Sequence, residues 1–436
     1  MRDIFVTAVI FGALPFVLAR PYIGILLWTW VSFMNPHRLC WGFAYDFPFA
    51  QVIAIVTLIS VLISREPKKI PWTRETVVLL IFILWMVLTT VFSVYPFLAW
   101  PELGKVAKIQ LMVFVTMMLM QRKERLELLV WVMTLSLAFY GVKGGIFTVL
   151  HGGVYHVRGP NGSFIGGDNE MGLALIMTIP LLRYLQLTAT RAWLRYALIA
   201  AMILCALAAI GSQSRGAMLG MGVMGVFLWL KSRSKLITGL MTAVAAAMIL
   251  MTMPQAWFDR MATIEKYQQD QSAEGRINAW KMAFNLATDR PLGGGFETFQ
   301  RGMFALYAPN PGDVHDSHSI YFEVLGEHGF FGLFLFLMLG LMTWRTASWI
   351  IKRARGDPEN RWAGDLAAMV QVSLVGYASA GAFLGLANFD LYYTLIAVVL
   401  LCKTVLVARQ TAPKVEPAQD TAGRPLTMLQ RDVDLA

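Results

Sequence analysis

Two arginines lie in polar interruptions of an otherwise apolar chain. Arg215 falls in Gly211-Ser-Gln-Ser-Arg-Gly216, and Arg276 falls in Glu274-Gly-Arg-Ile-Asn-Ala-Trp280. A guanidinium stays charged at any working pH and matches phosphate with two parallel hydrogen bonds, so both are candidates for an anion site. The alternatives are contact with lipid phosphates or an ion pair with a nearby carboxylate: Asp259, Glu274 or Asp289.

A histidine-containing run, Asp313-Val-His-Asp-Ser-His-Ser-Ile-Tyr321, precedes another apolar segment. Asp316 or Ser317 can cap the helix that follows, which would place His318 in its first turn. The positive end of a helix dipole disfavours an imidazolium, so a neutral ring there can accept a proton as a general base. A capping histidine without a catalytic task is the alternative. A metal site made by His315, Asp316 and His318 is a weaker alternative, since an i, i+3 pair is a poor metal signal.

Four further arginines lie in connections on the same predicted side of the chain: Arg158, Arg260, Arg290 and Arg301. We expect mainly structural roles for these four. The residues that could support an anion site are Arg158, Arg290, Arg301 and His315. The sequence has no Walker motif, Rossmann fingerprint or Ser-His-Asp order. The energy for a reaction must therefore come from the substrate itself or from a gradient.

The composition indicates a membrane protein. Hydrophobic residues make up 57% of the 436 residues and charged residues 15%, against about 45–50% and about 25% in soluble domains. The three cysteines form no disulfide framework or zinc spacing. A formal charge of +10 is compatible with nucleic acid binding, but the positions of the basic residues indicate orientation in a membrane instead, and no nucleic acid partner is expected.

Apolar runs predict an all-α polytopic membrane protein with about twelve transmembrane helices. The predicted spans are 4–34 (broken at Arg20-Pro21, and alternatively two pieces), 49–64, 76–95, 105–120, 127–150, 169–187, 193–211, 216–231, 235–253, 329–350, 366–387 and 390–408.

Basic residues fill alternate connections between these spans. The five basic loops contain Arg65, Lys68, Lys69 and Arg74; Arg122, Lys123 and Arg125; Arg191 and Arg195; Lys231, Arg233 and Lys235; and Lys352, Arg353, Arg355 and Arg361. The positive-inside rule predicts that these loops and both termini are cytoplasmic. The other connections, including the longest, would face outward.

Four parts of the chain follow from this pattern. Residues 1–253 would carry nine transmembrane helices, and residues 254–328 a large helical periplasmic loop that caps the outer face and carries the catalytic motifs. Residues 329–408 would carry the last three helices. The polar tail 409–436 is predicted to be cytoplasmic and disordered.

The segment His318-Ser-Ile-Tyr-Phe-Glu-Val-Leu-Gly-Glu-His-Gly-Phe-Phe-Gly332 resembles the signature of the O-antigen ligase and polymerase superfamily. Ser214-Arg215-Gly216, the pair Arg276 and Trp280, and the turn Pro291-Leu-Gly-Gly-Gly resemble its other marks. Many members have Asn after the histidine, where this chain has Ser319. Asn35-Pro-His-Arg38 and Gly166-Gly-Asp-Asn-Glu170 are similar to a subgroup of O-glycosylation ligases from exosortase-bearing bacteria.

The resemblance implies a membrane glycosyltransferase of the bacterial inner membrane, with its active site facing the periplasm. It implies a metal-independent, inverting transfer without a cofactor, from a glycan on undecaprenyl pyrophosphate to a lipid A–core acceptor. By the same resemblance, Arg215 and Arg276 would hold the pyrophosphate and His318 would deprotonate the acceptor hydroxyl. The expected partners are these two substrates and the lipids of the inner membrane.

Other functions stay open at this point. A protein Ser or Thr as acceptor would make the chain an O-linked oligosaccharyltransferase, and a second lipid-linked glycan would make it an O-antigen polymerase. A transporter is favoured less, because transporters place ionisable residues near the membrane midplane, whereas acids are rare in these apolar runs.

Overall fold

The computed structural model describes residues 1–232, 234–252, 255 and 271–411, and their regular secondary structure is helical, without β-strands. Arg233, Arg260 and residues 412–436 of the predicted disordered tail lie outside the described residues. The helices are α1 (Arg2–Ala19), α2 (Pro21–Met34), α3 (Phe49–Ile63), α4 (Arg74–Val91), α5 (Pro96–Leu119), α6 (Lys123–Leu150), α7 (Asp168–Thr188), α8 (Ala192–Gly211), α9 (Arg215–Lys231), α10 (Lys235–Thr252), α11 (Gln271–Asp289), α12 (Arg301–Tyr307), α13 (Ile320–Ala354), α14 (Arg361–Ala380) and α15 (Asp390–Thr411).

Eight helices in the described part of the chain are long and apolar enough to cross a membrane: α1, α4, α6, α7, α8, α13, α14 and α15. Two shorter helices, α2 and α3, are also apolar. The chain is therefore a helical, multi-pass membrane protein. Each predicted span coincides with a helix, and the first coincides with two. The count of about twelve spans stays a prediction.

The first predicted span is divided at Arg20, whose φ of −142° and ψ of 98° are extended. Pro21 then opens α2, because proline lacks the N–H that a continuous helix would use. The two helices form a hairpin. Asp3 Oδ1 accepts hydrogen bonds from the backbone N–H of Gly42 at 2.9 Å and of Ala44 at 3.2 Å.

Because α1 and α2 form a hairpin, the N-terminus lies on the side opposite to the basic loops. Arg20 lines a cavity with Glu66, Arg122 and Arg125, which belong to the basic loops, whereas the chain start lies beside the next connection. The prediction that both termini share the side of the basic loops is therefore wrong for the N-terminus. The C-terminal end of α15 does lie with them, since Arg353 Nε donates to Gln410 Oε1 at 2.8 Å.

Small residues let the central helices approach closely. A side chain at Gly172 of α7 would meet Ala217 of α9, and one at Gly220 would press into Ala380 of α14. Helix pairs in membranes favour such positions, because close backbone approach increases van der Waals contact. Helices α7 and α15 are largely buried by their neighbours, so they form the centre of the bundle.

Helix α13 is kinked at Gly329, where φ is 68° and ψ is −174°. Only glycine adopts this conformation readily. The turn at residues 291–295 packs against the kink: Gly294 N donates to Gly326 O and Gly295 N to Glu327 O, each at 2.9 Å. On its other side the turn accepts a hydrogen bond from Val94 N at 2.8 Å. The Pro-Leu-Gly-Gly-Gly motif therefore joins the upper part of α13 to the end of α4.

The described part of the predicted cap has a small core of its own. Ala279, Met282 and Leu286 of α11 pack on Met303 and Phe304 of α12. Residues 271–319 therefore contain two helices that share a core, while the predicted cap, its boundaries and its periplasmic side stay predictions.

Candidate functional site

Helix α11 holds the segment that leads into α13. Asn278 is buried, and its Nδ2 donates to the carbonyls of Asn310 at 2.8 Å and Asp313 at 2.9 Å. Its Oδ1 accepts from Asn310 N at 2.9 Å. Two residues later along the helix, Trp280 Nε1 donates to Ser317 O at 2.7 Å. The segment is thus attached to α11 at both ends.

His318 lies just before α13 and not in its first turn as predicted. Its φ of 42° is left-handed, which cannot continue a right-handed helix, so Ser319 becomes the N-cap residue and Ile320 the first helical residue. Asp316 caps no helix; its Oδ1 accepts from Ser317 N at 2.7 Å. A non-glycine residue in this region costs about 1–3 kcal/mol, which the bonds on either side must offset.

Burial lowers the pKa of the half-buried His318, and the positive charge of Arg276 and the neighbouring His315 lower it further. The carboxylate of Asp316 acts in the opposite direction. The neutral imidazole expected from the sequence therefore has a different cause, namely desolvation and not the dipole of α13. The same effect shows that Arg276 lies close enough to His318 to act on its charge.

Two basic residues, Arg276 and His315, accompany His318. The His315 ring packs over Gly275, and its Nε2 lies 2.7 Å from Asp313 Oδ1. Gly275 precedes Arg276 at the start of α11, so the structure brings Arg276, His315 and His318 together.

Arg215 is the first helical residue of α9. Ser214 caps this helix by accepting a hydrogen bond from Ala217 N at 3.2 Å. A side chain at Gly216 would meet Phe383, and one at Gly381 would meet Ile320. Arg215 and the start of α13 therefore border the same corner, formed by residues 380–383.

The other predicted supporting arginines differ in their surroundings. Arg290 Nη2 donates to Phe92 O at 3.1 Å, which ties the end of α11 to the end of α4. Arg158 and Arg301 are exposed. Arg158 follows Val157, whose N–H donates to Gly211 O at 2.9 Å, so its segment packs near the residues that precede Arg215. The structure therefore supports a structural role for Arg290.

Sequence reasoning missed a half-buried carboxylate, that of Glu323, next to the histidine segment. A methyl group at Gly385 would lie 3.1 Å from Glu323 Oε2 and 3.5 Å from Asp316 Oδ2, so these two acids are neighbours. Glu323 Oε2 also accepts from Ala387 N at 3.2 Å. The available signal was an acid in the first turn of an apolar helix, where ionisable residues are rare and usually functional.

Two further polar residues of α13 stabilise its kink. Glu327 Oε1 accepts from Glu297 N at 2.9 Å, and His328 Nδ1 lies 2.8 Å from Thr89 Oγ1. Trp85 Nε1 donates to His328 O at 2.8 Å. These contacts explain the Glu-His-Gly part of the motif as a joint between α4, α13 and the turn at 291–295.

The site combines a neutral, half-buried imidazole with guanidinium groups and neighbouring carboxylates. In the described residues, no group of three or more His, Cys, Asp or Glu side chains is arranged to hold a metal ion. An imidazole can accept the proton of a nucleophile, and guanidinium groups can hold an anionic leaving group. The arrangement suits the transfer of a group from a phosphate ester.

Comparison with known proteins agrees with this chemistry. Residues 200–337 match a family described as O-antigen ligase, and residues 1–190 match a family of unknown function. The first match contains Arg215, Arg276 and His318, and it confirms the predicted resemblance to the O-antigen ligase and polymerase superfamily. No curated protein matches the chain.

Proposed function

We propose that this membrane protein, whose residues 200–337 are of the O-antigen ligase type, transfers a glycan from undecaprenyl pyrophosphate to a lipid A–core acceptor. The reaction would take place on the periplasmic face of the inner membrane. The observation that carries the proposal is the placement of His318 beside Arg276, with Arg215 on the shared corner at residues 380–383.

The reaction is a single displacement. The neutral imidazole of His318 accepts the proton of the acceptor hydroxyl while its oxygen attacks the anomeric carbon of the donor sugar. The bond between that carbon and the pyrophosphate oxygen breaks, and undecaprenyl pyrophosphate leaves with the electron pair. Attack opposite the leaving group inverts the anomeric configuration.

Arg215 and Arg276 hold the pyrophosphate before and during this step. Negative charge grows on the leaving oxygen in the transition state, so guanidinium groups stabilise it more than the ground state and accelerate the reaction. Because the pyrophosphate ester is already an activated leaving group, the step needs neither a nucleotide nor a metal ion.

Transfer by the purified protein tests the proposal directly. The protein in nanodiscs receives a glycan on undecaprenyl pyrophosphate together with lipid A–core, a Ser- and Thr-containing peptide, or a second molecule of the donor. We expect a product with lipid A–core only, and an unchanged yield in EDTA. A glycosylated peptide would instead indicate an oligosaccharyltransferase, and a lengthened donor glycan would indicate a polymerase. The absence of any product would contradict glycan transfer.

A further inference from the structure

A basic cavity of about 530 Å³ opens where the turn between α1 and α2 meets the start of α6. Its charged lining consists of three arginines and two glutamates, which gives a net charge of +1: Arg20, Arg122, Arg125, Glu66 and Glu124. The bidentate pair of Arg125 with Glu66 forms one wall, and the Arg125 guanidinium lies 4.2 Å from the centre of the Tyr22 ring. This pair neutralises itself, so the positive charge of the cavity comes from the other two arginines.

Arg20 and Arg122 are both exposed. Within the residues that the structure describes, neither side chain has a hydrogen bond or an ion pair. Guanidinium groups bind phosphate oxygens through paired hydrogen bonds, so the cavity has two groups available for a phosphate.

An apolar groove of about 510 Å³ continues from this cavity along α2 and α6. On α6 the cavity includes Leu128, and the groove begins one turn later at Val132 and reaches Phe139. On α2 the cavity includes Tyr22, and the groove begins at the next residue, Ile23. Residues three or four positions apart share one face of a helix, so one stripe of α6 lines both spaces.

The length of the groove fits one leaflet of a bilayer. The groove follows α2 from Ile23 to Met34, which at 1.5 Å per residue is about 17 Å. The hydrocarbon core is about 30 Å thick, so the acyl chains of one leaflet cover about half of that depth. None of the residues that line the groove is charged, and Leu135 and Phe139 are 47% and 40% exposed, so the groove is open along its side.

We propose that the cavity and the groove together bind one anionic phospholipid, from the leaflet on the side of the basic loops. Arg20 and Arg122 bind its phosphate, and an acyl chain lies in the groove. A negative head group complements the net charge of the cavity, and basic pockets between membrane helices are a recurrent mode of recognising such head groups. The lipid joins the turn of the α1–α2 hairpin to α6. No residue of α9, α11 or α13 lines either space, so the site does not depend on the proposed function.

Native mass spectrometry of the full chain tests the head-group part. The protein is released from nanodiscs that contain equal amounts of phosphatidylglycerol and phosphatidylethanolamine, and we expect it to retain phosphatidylglycerol about tenfold more. Arg20→Gln with Arg122→Gln should remove this preference, because each basic residue near an anionic head group contributes about a factor of five in affinity. Arg191→Gln with Arg355→Gln removes two exposed arginines from other basic loops and should match the wild type.

Ala13→Trp tests the acyl part, because Ala13 is half-buried in the wall of the groove and an indole there occupies the space of the chain. Retention of phosphatidylglycerol should fall about tenfold, which corresponds to the loss of about two buried methylene groups. Ala200→Trp places the same side chain at an exposed position of α8 and should leave retention unchanged. If Ala13→Trp does not fold, Leu135→Ala at the open edge of the groove replaces it, with an expected loss of about threefold.

Equal retention of the two lipids by the wild type would overturn the proposed site. Wild-type retention in the groove variants, together with loss in the arginine variant, would show that the cavity binds an anion without an attached chain. That result would also overturn a phospholipid site.

Discussion

His318 combines a left-handed backbone with a half-buried imidazole. The backbone directs the chain away from α13 for one residue, and the Trp280 bond to Ser317 O holds the turn in place. Strained backbone persists where surrounding contacts over-determine it, and active sites are where such strain is often found. The turn therefore fixes the position of the His318 backbone before substrate binds.

His318→Ala should lower the rate of glycan transfer by about 10²–10⁴-fold, the usual contribution of a general base. Binding of the undecaprenyl pyrophosphate donor should stay nearly unchanged, because the imidazole acts on the acceptor proton. Single-turnover transfer and direct donor binding measure the two effects separately. If the variant loses donor binding, His318 binds the donor, as the arginines are proposed to do. If the variant keeps wild-type turnover, His318 is not the general base.

The pH dependence of turnover should report the lowered pKa of His318. The imidazole must be neutral to act as a base, so turnover falls as the pH drops through a pKa below the ordinary value of about 6.5. Asp316→Asn removes the carboxylate that raises this pKa, so the acid limb of the profile should move to still lower pH. Asp289→Asn, a matched charge change whose carboxylate accepts from Tyr307 Oη instead, should leave the limb in place. An acid limb above the ordinary value in the wild type would contradict the assignment.

Arg276→Ala should weaken donor binding about tenfold or more and also slow transfer. Hydrogen bonds to a charged group contribute about 1.5–3 kcal/mol, and each 1.4 kcal/mol is a factor of about ten in affinity. Arg215→Lys should restore little of the loss seen in Arg215→Ala, because an ammonium cannot form the bidentate pair. Arg301→Ala, at an exposed position on α12, is the control that should retain wild-type donor affinity.

At the scale of elements, the turn at residues 291–295 and the kink of α13 form one joint. A side chain at Gly329 would overlap Pro291 O, and one at Gly293 would approach the carbonyls of Gly326 and Glu327. The glycines are therefore required by close backbone approach as well as by positive φ. Through this joint the turn that follows α11 is connected to both α13 and the end of α4.

Gly329→Ala should destabilise the protein by about 2 kcal/mol or more, from backbone strain and the overlap with Pro291 O. Thermal unfolding in detergent, followed by circular dichroism, measures the change. Gly222→Ala in α9 is the control, because no neighbouring atom lies within 4 Å of the added methyl group. An unfolding temperature for Gly329→Ala equal to that of the control would show that the joint contributes little to stability.

At the scale of the whole molecule, contacts between loops group the basic connections on one side. Arg125 forms a bidentate ion pair with Glu66, at 2.7 and 2.8 Å, and so joins two basic loops. Tyr45 Oη, in a connection predicted to face outward, contacts Asn161 O of another such connection at 3.5 Å. The start of the chain lies with the second group because of the hairpin at Arg20.

Cysteine labelling of intact cells should separate the two sides. Cysteine placed at Asp46 should react with an impermeant maleimide, and so should cysteine at Arg2, whereas cysteine at Lys68 should react only after permeabilisation. The native cysteines are all buried, which keeps the background low. Labelling of Lys68→Cys from outside would reverse the topology, and protection of Arg2→Cys would contradict the outward N-terminus.

The apolar helices were predictable because apolar length is a property of the sequence itself. The hairpin was harder to predict. Arg20-Pro21 predicted a break in the helix, but the contacts that accompany the reversal of the chain, from Asp3 to the backbone of Gly42 and Ala44, are not visible in the sequence. His318 and Arg276 were predictable from residue type and resemblance. Glu323 was not, because its carboxylate lies against Gly385 and Ala387, a loop that is remote in sequence.

The upper part of α13 also sets a fixed distance between its start and its kink. Nine residues separate its start at Ile320 from the kink at Gly329, a rise of about 14 Å along the helix axis. The distance between His318 and the kink is therefore set by this part of the helix. Under the proposed function, an acceptor must bring its hydroxyl to that level of α13 before the identity of its sugar matters.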